Sequence, residues 1–273
     1  MQDYPHPFTW IPEAEYHAAS RRGEYISSHL LADFRRSPVL YKREIDGIIA
    51  NAKSEAFFFG SAAHKLILEG ADAFNAAYLV AEGPVNPKTN ETFGPNTKAY
   101  REWAAAQAPR LVLSPRDWSK LSNMNLAVQN HPDAQRLLSG GFPEGTVRTN
   151  WEGIACQIRC DWFNPQEGIV DLKTCEDIDR FEYDAKRFGY GHQLAFYRSV
   201  LAAATGTKQE DIPVHIVAVE KGEPFRCGVW KLSGLSLDTC AEQNRAAVGR
   251  LLECRRESSW PTGYEQLRIL SDL

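Results

Sequence analysis

Two strand-length apolar runs, Ile154-Ala-Cys-Gln-Ile-Arg-Cys-Asp161-Trp-Phe163 and Ile169-Val-Asp171-Leu-Lys173-Thr-Cys175, flank a connector at 164–168 that contains Pro165 and Gly168. Runs of this length on either side of turn residues predict a β-hairpin. Side chains alternate along a strand, so Asp171 and Lys173 share one face, while Val170 and Leu172 share the other. On the first strand, Asp161 shares a face with Gln157 and Arg159, opposite Ile158 and Cys160. Where the polar faces coincide, two carboxylates and one ammonium converge at one end of the hairpin. Burying such charges among apolar strands is costly without partners. A divalent cation is one such partner.

The tripeptide alone carries little information, because an acidic residue two before a lysine is expected about twice in a chain of this composition. The sequence contains a second instance, Asp184-Ala-Lys186, set in Tyr-Asp-Ala-Lys-Arg-Phe with no apolar strand around it and no hairpin before it. The strand context selects Asp171 and Lys173.

The chain has 273 residues, 43% of them hydrophobic and 11% aromatic. One compact domain spanning 1–273 is expected, burying roughly three quarters of its unfolded surface. The start, Met-Gln-Asp-Tyr-Pro-His-Pro, has no basic and apolar leader pattern, and no run reaches the ~20 apolar residues of a membrane span. The expectation is a soluble, unprocessed, cytoplasmic protein with no membrane partner. Six cysteines lack CxxC spacing and sit in strand-like or helix-like segments, which suits reduced, packed thiols. A formal charge of −4 argues against nucleic-acid binding by bulk electrostatics but leaves room for a local basic channel. Arg21-Arg22, Arg35-Arg36, Lys42-Arg43 and Lys186-Arg187 are candidates for it, or else a solvated face.

Residues 1–25, rich in Pro and aromatics, read as an extended N-terminal arm. Ser27-Ser28 precede an apolar-periodic stretch through Leu30, Leu31 and Phe34, which predicts a capped helix ending before Ser37-Pro38. Ser28 is either that cap or, with Arg21 or Arg22, part of a binding site for a DNA phosphate at a helix start. Residues 56–70 predict a helix in which Gly60, Ala62 and Ala63 allow close approach to a neighbour and His64 faces the sheet. His64 by itself reads as a satisfied core histidine. The Pro, Asn and Gly cluster at 82–98 is a long surface loop, either mobile over a substrate or idle. Helices follow at about 97–108 and 114–129, the second with Ser114-Pro115 as N-cap and N1, and 131–138 continues that layer. Val147 to Trp151 begins the sheet. After the hairpin come an amphipathic helix with Gln193 and Tyr197 one turn apart, alternating strands at Val214–Val219 and Arg226–Leu232, and a closing helix at Ser236–Arg256 capped by Ser236 or Asp238. This order predicts an α/β fold with helices against a mixed sheet.

With the elements placed, the chain resembles the PD-(D/E)XK nucleases, and within them the exonuclease VIII (RecE-type) branch related to lambda-type exonuclease. The motifs that carry the resemblance run in order along the chain. They are Tyr16-His17-Ala18, the Ile-Ser-Ser-His-Leu stretch, Phe59-Gly60-Ser61-Ala62-Ala63-His64, Arg159-Cys160-Asp161, Val170-Asp171-Leu172-Lys173-Thr174, His192-Gln193-Leu194-Ala195-Phe196-Tyr197 and Trp260-Pro261. Cys160 stands where that family often has Pro.

The resemblance implies that His64, Asp161, Asp171 and the backbone carbonyl of Leu172 ligate Mg²⁺, with Mn²⁺ able to substitute, that Lys173 is catalytic, and that Gln193 and Tyr197 border the site. It further implies degradation of double-stranded DNA ends, 5′ to 3′, to leave 3′ single strands for a single-strand annealing protein in phage-type recombination, by a homo-oligomeric ring. Some related nucleases hold an iron–sulfur cluster through one early and three late cysteines. No cysteine precedes Cys156, so neither that cluster nor a zinc site is expected. The rival readings are a structure-specific or restriction-type endonuclease on the same site, and a non-catalytic DNA-binding or protein-binding module.

Overall fold

The computed structural model describes residues 4–49 and 55–269, and of residues 55–57 the backbone alone. Its N-terminal elements are α1 (Glu13–Arg21), α2 (Ser28–Arg36), α3 (Pro38–Ile45) and α4 (Glu55–Ala77), the last broken at Gly70. There follow β1 (Tyr78–Val80), α5 (Lys98–Ala105), β2 (Leu111–Leu113), α6 (Pro115–Asn130) and α7 (Pro132–Leu137). The second half comprises β3 (Phe142–Trp151), β4 (Ile154–Asn164), β5 (Gly168–Cys175), α8 (Phe181–Arg187), α9 (Tyr190–Thr205), β6 (Val214–Glu220), β7 (Cys227–Lys231) and α10 (Gly234–Glu257).

The predicted α/β class is the observed one. Strands β3-β4-β5-β6-β7 form a mixed sheet in that order, antiparallel except for the parallel β5–β6 pair. A parallel pair needs a crossover, and α8 and α9 supply it. Helices α2, α9 and α10 cover one face around Leu31, Phe34, Ile158, Phe196 and Val248. Helices α4, α6 and α7 cover the other around Ala63, Met124, Leu137, Leu172 and Val217. Because both faces are covered, β6 is buried at every position, and its alternation divides side chains between two cores instead of between core and water. Each fully buried aliphatic side chain of these cores contributes about 1.5–3 kcal/mol. Among the described residues no helix is long and apolar enough to cross a membrane.

Several expectations need correction. Residues 1–3 of the predicted arm lie outside the described residues, and the rest of it is not simply extended. Phe8 is buried against Phe142 and Phe163, Thr9 bridges Thr146 on β3, and Glu13–Arg21 is helix α1. The cap of α2 is Ser27, whose Oγ accepts from the Leu30 N–H at 3.5 Å; Ser28 is the first helical residue. The cap of α10 is Ser233, accepting from the Ser236 N–H at 3.2 Å, while Asp238 instead pairs with Arg198. Strand β3 begins five residues before Val147, and the short parallel pair β1–β2 has no counterpart in the sequence reading. Loop 82–98 folds on itself through the Val85–Thr92 bridge and the Asn86 N–H bond to the Glu91 carbonyl at 2.7 Å. The Ser114 cap and Pro115 of α6 stand where expected.

Candidate active site

The hairpin forms as read, and its turn depends on Gly168, where φ is +79° and a Cβ would come within 2.1 Å of the Pro213 carbonyl oxygen. Strands β4 and β5 stay in register for only three pairs, Asn164↔Gly168, Phe163↔Ile169 and Trp162↔Val170. The next pair would set Asp161 opposite Asp171, and like charges placed directly opposite are destabilising. The strands part there. The Leu172 N–H is taken by Asp161 Oδ2 at 2.9 Å. The opening between the strand ends is the floor of a cleft of about 400 Å³, into which Arg159, Asp161 and Lys173 project while Ile158 and Cys160 stay in the core.

Helix α4 brings His64 over this floor, 97 residues from its partner in sequence: its Nε2 lies 3.1 Å from Asp161 Oδ2, and Nδ1 lies 2.9 Å from the Gly60 carbonyl oxygen. A Cβ at Gly60 would meet nothing within 4 Å, so close approach is not why glycine stands there; its carbonyl serves His64. Ala62 and Ala63 are fully buried, as packing against the sheet requires. On β5, Lys173 Nζ sits 2.5 Å from Asp171 Oδ2.

The electrostatics follow from these contacts. Burial alone would lower the His64 pKa, but the Asp161 charge and hydrogen bond and the Gly60 carbonyl outweigh it and raise it to about 9. Burial alone would raise Asp161, but the His64 charge and hydrogen bond, then Lys173 and the Leu172 N–H, hold it down at about 2. Asp171 goes the other way: burial dominates, Lys173 opposes it, Asp161 adds to it, and its carboxyl is pushed up to about 6. Lys173 would be lowered by burial but is raised by Asp171 and Asp161.

Asp171 is 1% exposed, and among the described residues the Lys173 ammonium at Oδ2 is the one donor at its carboxylate. A buried carboxylate touched by one ammonium is short of donors, and a hard cation would meet that need. The histidine fits as well: an Nδ1–H donated to Gly60 would leave the Nε2 lone pair for a metal. Among the described residues, no three His, Cys, Asp or Glu side chains stand as a ready-made cage. His64 and Asp161 pair with each other instead, and Asp171 pairs with Lys173, so a bound cation would exchange those contacts for its own. The residues present suit a hard divalent cation.

Gln193 and Tyr197 line the same cleft from α9, Gln193 Nε2 donating to the Tyr197 hydroxyl at 3.3 Å. The decoy pair Asp184 and Lys186 lies on α8, and neither residue lines this cleft. Arg21 and Arg22 also fall outside it. Arg22 pairs with Glu24 at 2.5 Å, a carboxylate two residues on that captures the guanidinium locally. Ser28 lines an adjoining cavity of about 290 Å³ with Arg35, and this cavity shares His29, Tyr190 and Gln193 with the cleft. The cation that shares this cavity with Ser28 is therefore Arg35, about two turns along its own helix. The Ser28 Oγ is buried and has no hydrogen-bond partner.

Tyr190 and Glu144 are among the cleft residues that sequence reading missed. Tyr190, whose ring lies 4.8 Å from Lys173 Nζ, was findable: it precedes Gln193 and Tyr197 at helical spacing. Glu144 was not. It sits on β3 at φ 58°, paired with Arg159 in the cleft wall, and a positive φ at a glutamate leaves no mark in sequence.

A solved chain from Eubacterium rectale, described as a putative exonuclease, overlays this one with a TM-score of 0.67 across 97% of this chain and 96% of that chain, at 15% identity, which shows a shared fold. An alkaline exonuclease from Laribacter hongkongensis overlays with a TM-score of 0.30 at 11% identity, across 90% of this chain and 98% of that chain, too loosely to carry an argument. No curated protein matches the chain. The model of a PDDEXK-like domain of unknown function (DUF3799) matches residues 27–271, a span that takes in His64, Asp161, Asp171, Lys173, Gln193 and Tyr197, and the chain belongs to that family.

Proposed function

We propose that the protein is a divalent-metal-dependent deoxyribonuclease that degrades double-stranded DNA from its ends, 5′ to 3′, leaving 3′ single strands. The observation that carries this reading is the convergence of Asp161, Lys173 and His64 at one open cleft, with the Asp171 carboxylate buried against the Lys173 ammonium. The family's PDDEXK-like character and the fold shared with the Eubacterium rectale chain support a nuclease. The RecE-type branch, the annealing partner, the phage-type recombination setting and the ring are the finer parts of the same reading. They rest on the ordered motifs. A ring would reconcile a net charge of −4 with DNA binding, since only its inner wall need be basic.

A bound Mg²⁺, or Mn²⁺ in its place, supplies Lewis acidity at the scissile phosphate and a lowered pKa for water. Asp161, Asp171, His64 Nε2 and the Leu172 carbonyl are the groups that would hold it. The remaining work falls to this chain's own side chains. Lys173 would orient the attacking water and offset charge on the phosphate oxygens. Gln193 and Tyr197, held to each other, border the phosphate from α9. The Ser28 hydroxyl and Arg35 offer a donor and a charge for a terminal phosphate in the adjoining cavity.

The test uses linear duplex labelled separately at each end, beside closed circular plasmid, with Mg²⁺ present and then chelated. The expected result is loss of the linear form from the 5′ ends, intact circles and no reaction after chelation. Asp171→Ala and Lys173→Ala should each abolish the reaction while the protein stays folded. Cut circles would replace the exonuclease with an endonuclease, and activity retained by either variant would remove the assignment of the site.

A further inference from the structure

The cavity beside the cleft carries an aromatic strip that the hydrolytic chemistry leaves unused. Phe188, the residue that ends α8, is 59% exposed and lines this cavity. Its ring lies 5.9 Å from that of Tyr190 at an interplanar angle of 30°, and the Arg187 guanidinium sits 5.3 Å from its centroid. Gly189 between them, at φ +71°, makes the turn from α8 into α9 that puts both rings on the same cavity. The strip is continuous with the site: Tyr190 lines both cavities, and Lys173 lies over its ring.

The charge around the strip includes three cations, Lys186, Arg187 and Arg35, with Asp184 one turn before Phe188 also acting on Tyr190. Lys186 and Arg187 are exposed, and among the described residues neither has an ion-pair partner. Arg35, across the cavity, bonds to the neutral side chain of Asn244 and so keeps its charge uncompensated. An exposed flat ring beside a half-buried one, flanked by guanidinium and ammonium groups, is the chemistry that binds unpaired nucleotides, with rings stacking on bases and cations following the backbone. An aliphatic ligand would not account for the cations, and an anionic peptide would not call for the rings.

We infer that Phe188, with Tyr190 beneath it, is a stacking platform for an unpaired base at the end of the substrate DNA, holding the duplex end open while the adjacent phosphate lies in the cleft. This rests on the nuclease reading above. Phe188 takes no part in the hydrolytic step, and because it is exposed its replacement leaves the core intact.

Two measurements test the platform. In the first, a duplex carries 5-iododeoxyuridine at the terminal position of one strand or the other and is irradiated with the full-length protein while metal is chelated. The crosslinked residue, read by mass spectrometry, should lie within 188–190 for one of the two strands, and Phe188→Ala should lose that crosslink. In the second, the wild type and variants degrade blunt duplexes and duplexes with a mismatched terminal pair. Phe188→Ala should slow the blunt substrate at least about fivefold, from the loss of one base stack, and the mismatched one by less than about twofold. Phe188→Trp should restore the blunt rate. Crosslinks outside 188–190, or equal slowing of both substrates, would overturn the platform even where the wild type is an active nuclease. A crosslink at 188–190 in a protein that hydrolyses nothing would keep the platform and remove the nuclease.

Discussion

Two buried carboxylates stand on adjacent strands, each beside a cation, and their environments are opposite. Glu220, at the end of β6, accepts from the Ile178 N–H at 3.0 Å, from the Arg226 N–H at 3.0 Å and from the Arg226 guanidinium at 2.6 Å. Hydrogen bonds from that side chain, against a smaller effect of burial, hold its pKa down at about 2. Asp171, on neighbouring β5, receives no backbone N–H among the described residues and has the Lys173 ammonium alone beside it, and burial pushes it up to about 6. Both side chains are nearly inaccessible, at 3% and 1%. Surface accessibility therefore does not separate them; the depth of burial and the supply of donors do. A carboxylate whose donors are all met ties the β6 end to Arg226 and the turn at Ile178. One left short of donors is held ready for something the fold does not itself provide.

The comparison can be broken at four points, in descending size of effect. Asp171→Asn keeps the shape and removes the charge, and should lower the rate of linear DNA hydrolysis by at least about a thousandfold, with a melting temperature close to that of the wild type because the lost pair with Lys173 is offset by relief of a buried charge and Asp161 still acts on the ammonium. A clear fall in melting temperature would make Asp171 a structural residue like Glu220. His64→Ala should raise the Mg²⁺ concentration needed for half-maximal rate by about tenfold to a hundredfold, while saturating metal recovers most of the rate; an unchanged metal requirement would take His64 out of the ligand set.

Glu220→Gln should do the reverse of Asp171→Asn, leaving the specific activity intact and costing about 1–2 kcal/mol of unfolding free energy near neutral pH. The sign of its pH dependence follows from the depressed pKa. The stability Glu220 contributes is fully present above its ordinary value of 4.5 and is lost as pH falls toward about 2. Denaturant titrations should show the gap between wild type and variant closing across that window, and a gap that persists at the acid end would refute the linkage. The smallest effect belongs to the decoy: Asp184→Ala and Lys186→Ala should each change hydrolysis of a saturating substrate by less than about twofold.

The decoy also shows why part of the site could be read in the sequence. Asp171-Leu-Lys173 and Asp184-Ala-Lys186 have the same spacing, but a strand brings positions i and i+2 to one face, whereas a helix turns them well apart. Recognising the hairpin therefore amounted to recognising the site, and the same local logic identified Gln193 with Tyr197 on α9 and the Ser114-Pro115 start of α6. Where local rules compete, the reading slipped by a few residues. Ser27 and Ser28 are both capable caps, and Ser233 displaced Ser236. The extended arm gave way to α1 because Phe8, Tyr16 and Ala19 found burial that no local pattern advertises. Arg22 was assigned to phosphate, yet Glu24 reaches it first.

The sequence by itself determined that two acidic strands and a lysine would meet across a short turn, because period-2 alternation and a Pro/Gly connector act over neighbouring residues. Tertiary structure alone decided what those groups became. It parted β4 from β5 where Asp161 would have faced Asp171, drew His64 across 97 residues to Asp161, set Glu144 against Arg159, and left the Asp171 carboxylate with the Lys173 ammonium alone. Coulomb and hydrogen-bond energies depend on distances of a few ångströms, and contacts between residues far apart in the chain are set only when the sheet and its two layers of helices close.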